Sequence, residues 1–371
     1  NGTTPGAGSG NFNFTAGSTV AIARDLVYRN GYDAGRAGGG THTINASNVD
    51  ATVDIGRNLD LSLTWATLVV NLANGEWIVR GSSADLTGVD TLNKGGSSIF
   101  RLAGATTLRS AGKQLDHLHL NPGSGATAVL ADAANAATLT IAQAGTCTLA
   151  GPGALTLRNA TGTITRSDAS GSGTHTVNPA IALPAGGAEI ANADSEGSLV
   201  LAGILSGSGG AATVTFSGSG TTTLSAANTY AGATTVDSGT LTSGAAGVIP
   251  DTSAVSVTSG ATWDLDGKAE TIASLAGAGN VTLSAATLTC GGGDGSTSFT
   301  GVISGSGSLT KTGAGALTLG GDNDLTGTLT VSAGSVVLTG STGQIEDCTA
   351  LAIAAGATLA IDNVGSSNPD R

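Results

Sequence analysis

The sequence predicts an all-β chain, a right-handed parallel β-helix (β-solenoid) of elongated form. Three observations carry that expectation: a core that must be built from small side chains, a period-two strand pattern, and internal repetition.

The 371 residues include 60 glycines, 7 prolines, no methionine and only 11 Phe, Trp and Tyr residues. A globular core of this length normally relies on large side chains, each burying a wide area. Apolar residues still make up 40 % and charged residues only 11 % of the chain, which is too apolar and too weakly charged for disorder. Many small apolar side chains must therefore be buried in thin layers.

Apolar residues alternate with Thr and Ser in short runs such as Leu61-Ser62-Leu63-Thr64-Trp65, Ala154-Leu155-Thr156-Leu157, Val281-Thr282-Leu283 and Leu317-Thr318-Leu319. Each run is a strand signal. The runs close in turns such as Gly218-Ser219-Gly220 and Gly320-Gly321-Asp322-Asn323. No stretch holds a helical apolar period for more than about three turns; the best helix candidate, Ser18 to Arg29, reads equally well as strand.

Repetition turns strands into an architecture. Gly203-Ile204-Leu205-Ser206-Gly207-Ser208-Gly209 returns 98 residues later as Gly301-Val302-Ile303-Ser304-Gly305-Ser306-Gly307. A second block, Asn228, Tyr230, Gly232, Thr235, Val236 and Gly239, returns 95 residues later as Asn323, Leu325, Gly327, Thr330, Val331 and Gly334. A repeat that changes its turn length while keeping its strand pattern fits stacked rungs, each touching only its neighbours. Glycines then belong at the corners, where positive φ costs other residues about 1 kcal/mol or more. At roughly 20 to 25 residues and about 4.8 Å per rung, such a stack would be on the order of 70 to 90 Å long.

Gly301 to Leu338 resembles the autotransporter-associated β-strand repeat of Gram-negative passenger domains. The G-x-G-x-L-x-K-x-G-x-G-x-L-x-L core of that family is complete at Gly305, Gly307, Leu309, Lys311, Gly313, Gly315, Leu317 and Leu319. Its N-x-Y-x-G-x-T-x-V-x-x-G close is kept at Asn323, Gly327, Val331 and Gly334, with Leu325 replacing the aromatic residue and Leu329 the Thr. The copy from Gly203 to Leu241 keeps the close whole through Asn228, Tyr230, Gly232, Thr234, Val236 and Gly239, but lacks the Lys. Val255 to Leu288 is similar to the linking rungs of the family. The resemblance covers roughly residues 198 to 362 and implies a passenger-type β-solenoid; adhesins, proteases and spacers all carry such repeats. Trp77 to Leu157 looks loosely like other solenoid surface sequences. The expected organisation is a flexible lead or cap at residues 1–17, a variant solenoid at 18–197 and a repeat-like solenoid at 198–371.

Charge divides the chain unevenly. Residues 1 to 170 hold 11 basic and 11 acidic side chains, and the remainder holds 3 and 15, so the formal net charge of −12 lies in the second part. Such a surface repels phosphate and disfavours nucleic acid and anionic membranes. No run reaches the roughly 18 apolar residues of a membrane helix. The segment shows no initiator Met, signal peptide or export barrel, which is the expectation for an excised passenger.

Chemistry finds few footholds. Asp264 and Asp266, two apart in an expected strand, would share a face as a carboxylate pair of a polysaccharide-active enzyme does, though the same alternation merely sends Trp263 and Leu265 inward. His117 and His119 share a strand face but have no evident third metal ligand. Asp322-Asn323-Asp324 and Gly292-Gly293-Asp294-Gly295 invite calcium, yet neither has the repeated spacing of a calcium β-roll, and turns favour these residues anyway. Cys147, Cys290 and Cys348 are too widely spaced for a disulfide framework or metal knuckle and read as small buried residues. The four histidines, His42, His117, His119 and His175, form no recognisable catalytic arrangement. Thr-x-Thr pairs at Thr161/Thr163, Thr213/Thr215 and Thr328/Thr330 raise an ice-binding possibility, against which their irregular spacing argues.

No catalytic residue, cofactor or metal site is therefore assigned. The expected function is a non-enzymatic extracellular structural or adhesive rod, at the cell surface or associated with the outer membrane. Its partners would be cell-surface components, a glycan or further copies of itself. A virion exterior protein, contacting virion components, and a polysaccharide-active β-helix enzyme are the alternatives.

Overall fold

The computed structural model describes residues 11–13, 19–22, 24–27, 41–45, 52–62, 67–142, 144–167, 173–207, 211–340, 342–345 and 347–362. Regular structure among them is β-strand throughout, and the strands pair in parallel with strands one turn further along the chain. The chain is a β-solenoid. It divides into two compact units, residues 1–159 with 163–181, and residues 160–162 with 182–371.

The first unit has three strand stacks. One runs Asn11–Asn13, Thr41–Asn45, Thr67–Ala73 and Thr91–Lys94. The second runs Thr19–Ile22, Thr52–Ile55, Glu76–Val79, Ile99–Leu102, Gln114–Leu120 and Ala134–Ile141. The third begins at Leu26–Val27 and proceeds through Ser83–Asp85 and Ala126–Leu130 to Thr174–Val177. Strands at Thr19–Ile22 and Leu26–Val27 resolve the ambiguous stretch. Residues 63–65 of the first alternating run lie outside the described residues.

Alternation within each strand puts apolar residues on one face, and register then aligns them rung on rung. Val53, Trp77, Phe100, Leu118, Leu139 and Ile164 form one such inward column, each no more than 2 % exposed. Burying one large side chain stabilises by roughly 1.5–3 kcal/mol, so a column of single residues per rung makes a thin but continuous core.

The second unit repeats the plan, with Phe216, Tyr230, Trp263 and Phe299 as its buried aromatic residues. One stack runs from Ala188–Asn192 through Val214–Ser217, Thr234–Val236, Ala254–Val257 and Ser274–Gly277. It ends with Thr297–Phe299, Ala316–Leu319, Ser335–Thr339 and Thr358–Asp362. A second stack runs from Ser198–Leu201 to Asp324–Leu325 and buries Leu241, Trp263, Val281 and Ile303 as one column. A third comprises Glu270–Ile272, Thr287–Cys290, Ser308–Lys311, Thr328–Val331 and Ala350–Ile353.

Rung length varies more than strand length. Ile99 pairs with His117, 18 residues on, and Ala188 with Val214, 26 residues on. Corners absorb the difference, and glycine makes the tightest of them. Gly239 (φ +69) and Gly334 (φ +65) occupy equivalent corners. A Cβ at Gly239 would lie 2.5 Å from the carbonyl oxygen of Gly218, and one at Gly334 2.5 Å from that of Gly313. The rung below thus leaves no room for a side chain in either copy.

Candidate functional site

Polar side chains divide into those that point inward and fasten one rung to the next, and those on the outward strand faces. Among the inward group, Asn228 and Asn323 do the same work. The Oδ1 of Asn228 accepts the Leu205 N–H at 2.7 Å, and its Nδ2 donates to the Val248 carbonyl at 2.7 Å. The Oδ1 of Asn323 accepts the Ile303 N–H at 3.0 Å, and its Nδ2 donates to the Gln344 carbonyl at 3.1 Å. Each amide clamps the rungs before and after it, its Nδ2 joining the residue's own backbone N–H at the carbonyl of the following rung. The clamped residue is 23 positions back in the first copy and 20 in the second, so the three-residue shortening of the repeat falls in the loop between them.

Beside Asn228, the Tyr230 hydroxyl lies 2.7 Å from Thr234 Oγ1, which lies 2.9 Å from Ser253 Oγ, which donates to the Gly232 carbonyl at 2.9 Å. Burial pushes the Tyr230 phenol above its ordinary range. Glu270, only 2 % exposed, accepts the N–H groups of Val248 at 3.0 Å and Ile249 at 3.4 Å. Burial raises its carboxyl to about 7, the backbone donors and Ser243 only partly opposing this.

Lys311 also points inward. Its Nζ donates to the carbonyls of Thr312 and Gly313 at the next corner, so the Lys of the repeat core satisfies backbone acceptors. Burial lowers its pKa. Neighbouring Cys290 is pushed up to about 12 by burial, which makes its thiol inert.

In the first unit Asp116 plays the fastening part. It accepts Lys94 Nζ at 2.6 Å, Ser98 Oγ at 2.7 Å and the Gly96 N–H at 2.9 Å. Burial opposes its charge, but the bonds from Lys94 and Ser98 outweigh this and hold the carboxyl below its ordinary value. Leu115 and Asp116 are both buried, as are Ala136 and Ala137 opposite. In both strands two successive residues are buried, which period-two counting does not foresee.

Cys147 is buried, as expected, but not alone. His175 Nδ1 accepts the backbone N–H of Cys147 at 3.2 Å and lies 3.1 Å from its Sγ. A nitrogen that accepts an N–H carries no proton of its own, so the thiol is the donor here and the pair is neutral. Both residues are 1 % exposed or less, closed to a substrate. Cys348 is half-buried, with its sulfur taking the Leu329 N–H at 3.2 Å.

The nominated acidic sites come apart. Asp264 ends its strand, and its Oδ1 accepts the N–H of Asp266 at 2.9 Å. Asp266 has φ +46 in the following turn, where Lys268 pairs with it at 3.5 Å. The two carboxylates make a turn and share no strand face; Trp263 and Leu265 are buried, as alternation requires. Asp294 accepts the Ala314 N–H at 2.8 Å, Asn323 is the inward clamp, and Asp322 bonds to Gln344. No group of three or more His, Cys, Asp or Glu side chains positioned to hold a metal occurs among the described residues.

His117 and His119 do share an outward face, on the second stack of the first unit. His117 Nδ1 lies 2.8 Å from Thr138 Oγ1. His119 stands in register with Arg101, whose Nε bonds Glu76 Oε1 at 2.5 Å. Burial, aided by Arg101, lowers His119 to about 4, so it is neutral at pH 7. One rung before Arg101, Arg80 forms a two-point pair with Asp54 at 2.7 and 2.8 Å, and beyond the histidines the columns become Thr138/Thr140 on the next rung and Thr163/Thr165 on the one after. The result is a continuous outward-facing, half-buried strip of fixed charges, imidazoles and hydroxyls. It offers contact chemistry and no converging acid and base.

The passenger-associated-transport-repeat family matches residues 214–242 and 309–338, the segments that carry Tyr230, Gly239, Lys311 and Gly334. The chain is 36 % identical over 159 residues, 41 % of its length, to the Adhesin BmaC autotransporter of Brucella suis biovar 1 (strain 1330), and spans 4 % of that protein. No solved structure matches it. The chain carries autotransporter passenger-type repeats. These findings support passenger-type β-solenoid repeats in this chain. They lend nothing to a virion exterior protein.

Proposed function

We propose that this chain is an adhesive, non-catalytic section of a surface passenger, and that the first unit contacts the target through the strip bearing Glu76, Arg101, His117 and His119. One observation supports this above others. The buried polar groups described above are engaged in holding rungs together, whereas the outward columns hold ordered polar groups at the rung repeat, about 4.8 Å. A face of this kind offers many weak contacts in series, which suits attachment to a surface of repeated protein or glycan groups. The carboxylates at Asp264 and Asp266, engaged in a turn, offer no hydrolytic pair.

Display of the chain on a non-adherent bacterium tests the reading. Attachment to cultured cells or to glycan-coated glass is the expected result, with loss on Arg101→Glu together with His119→Glu and retention with Asn280→Ala in the second unit. A folded, displayed chain that confers no attachment, or that releases reducing sugars from the coating, would overturn it.

A further inference from the structure

The third stack of the second unit holds threonines in an order that their sequence spacing hides. Thr271, Thr289, Thr310 and Thr330 form one outward column. Their separations are 18, 21 and 20 residues, and the corners absorb the differences. A parallel column holds Thr287, Ser308 and Thr328, for Thr287 pairs with Ser308 and the Thr328 N–H reaches Ser308 Oγ at 3.0 Å. The irregular spacing that argued against a threonine array is thus no obstacle: Thr328/Thr330 stand in register with two preceding hydroxyl pairs.

Beneath the columns Leu288, Leu309 and Leu329 are fully buried. The charged residues of these strands, Glu270 and Lys311, point inward. The outward face therefore carries neither charge nor aromatic ring. None of the hydroxyls of Thr271, Thr289, Thr310 and Thr330 bonds to a described residue. Each threonine is stiff at χ1, so methyls and hydroxyls are fixed before any ligand arrives, and ordering them costs little. The grid repeats at about 4.8 Å across rungs and about 6.7 Å along each strand.

A ligand that uses such a grid must itself be periodic in two dimensions and uncharged. Ice and the packed face of a neutral polysaccharide crystal both qualify. Sugar faces are commonly bound by aromatic rings that cover their apolar side, and this face has none. Hydroxyls that both donate and accept, set beside methyls around which water orders, match water instead. We propose that this face binds ice through its threonine columns. The proposal is independent of the adhesive strip on the first unit.

Slow freezing of a solution of the whole chain onto a chilled probe tests it. The chain should be enriched several-fold in the ice fraction and should shape growing ice crystals. Thr310→Tyr should abolish both effects with the circular dichroism spectrum unchanged, whereas Thr215→Tyr, on a different stack of the same unit, should leave both intact. Exclusion of the wild-type chain from ice overturns the proposal, as does equal loss in the two variants. Adsorption to microcrystalline cellulose or chitin that Thr310→Tyr removes, without any partition into ice, would assign the face to a glycan.

Discussion

The hydroxyls of Tyr230 and Thr234 lie 2.7 Å apart inside the second unit, and the two equivalent positions in the later repeat copy, Leu325 and Leu329, are both leucine. The two departures from the repeat pattern are therefore one event. A hydrogen-bonded polar pair has been exchanged as a unit for an apolar pair, and Leu325 and Leu329 are both fully buried. Removing both partners of a buried bond can be nearly neutral, while removing one strands the other.

The pair should behave accordingly under mutation. Thr234→Val leaves the buried phenol without its partner and should destabilise the second unit by about 1–3 kcal/mol. Tyr230→Phe should cost less, because Thr234 keeps Ser253 at 2.9 Å. The double variant should lose less than the sum of the two, with a coupling of roughly 0.5–3 kcal/mol in urea unfolding. Strict additivity would show that the bond contributes nothing.

The asparagine clamps should be among the most sensitive polar positions in the second unit. Asn228→Ala bares the Leu205 N–H, at about 1–3 kcal/mol for a buried group, while the Val248 carbonyl keeps the backbone N–H of residue 228 at 3.3 Å. Asn323→Ala should do the same to the Ile303 N–H, the Gln344 carbonyl keeping the backbone N–H of residue 323 at 3.2 Å. Hydrogen exchange at Leu205 and Ile303 reports each loss directly, and unchanged protection there would refute the clamp.

Stability should depend on pH with opposite sign in the two units. The Glu270 carboxyl titrates at about 7 when folded against an ordinary 4.5, so the folded state holds its proton more tightly. That contribution is complete below pH 4.5 and is lost as pH rises to 7, a fall of roughly 3 kcal/mol at most. His119 is lowered from 6.5 to about 4; its contribution is complete above pH 6.5 and is lost as pH falls toward 4. Glu270→Gln should flatten the first slope and His119→Gln the second, in urea midpoints taken from pH 4 to 8. Slopes unaltered by either variant would remove these residues as their source.

Thiol chemistry should separate the three cysteines. Cys147 and Cys290 are buried, and Cys348 is half-buried. An aromatic disulfide reagent should modify one thiol in the folded chain, lost in Cys348→Ser, and three after unfolding. Rapid reaction at Cys147 would show that the His175 pair is open to solvent.

Much of the architecture is legible in the residues. Alternation in Ala154 to Leu157 or Leu317 to Leu319 fixes which side chains are buried, because successive strand residues face opposite ways. The recurrence of Asn228 and Gly239 as Asn323 and Gly334 reveals repeated turns. What these positions do could not be read. Asn323 looks like part of an acidic turn, and its inward clamp exists only because two rungs, 20 and 21 residues away, bring the Ile303 N–H and the Gln344 carbonyl to its amide.

Sequence alone determined the β-solenoid, its thin core of small side chains and its passenger-type repeats, since each follows from a local period of two or from direct recurrence. Tertiary structure decided that Asp264 and Asp266 build a turn, that Cys147 meets His175, that Glu270 lies buried, and that unevenly spaced threonines stand in column. These outcomes depend on register between rungs. Corner lengths set that register, and a corner can gain or lose residues without leaving a mark on the strand pattern.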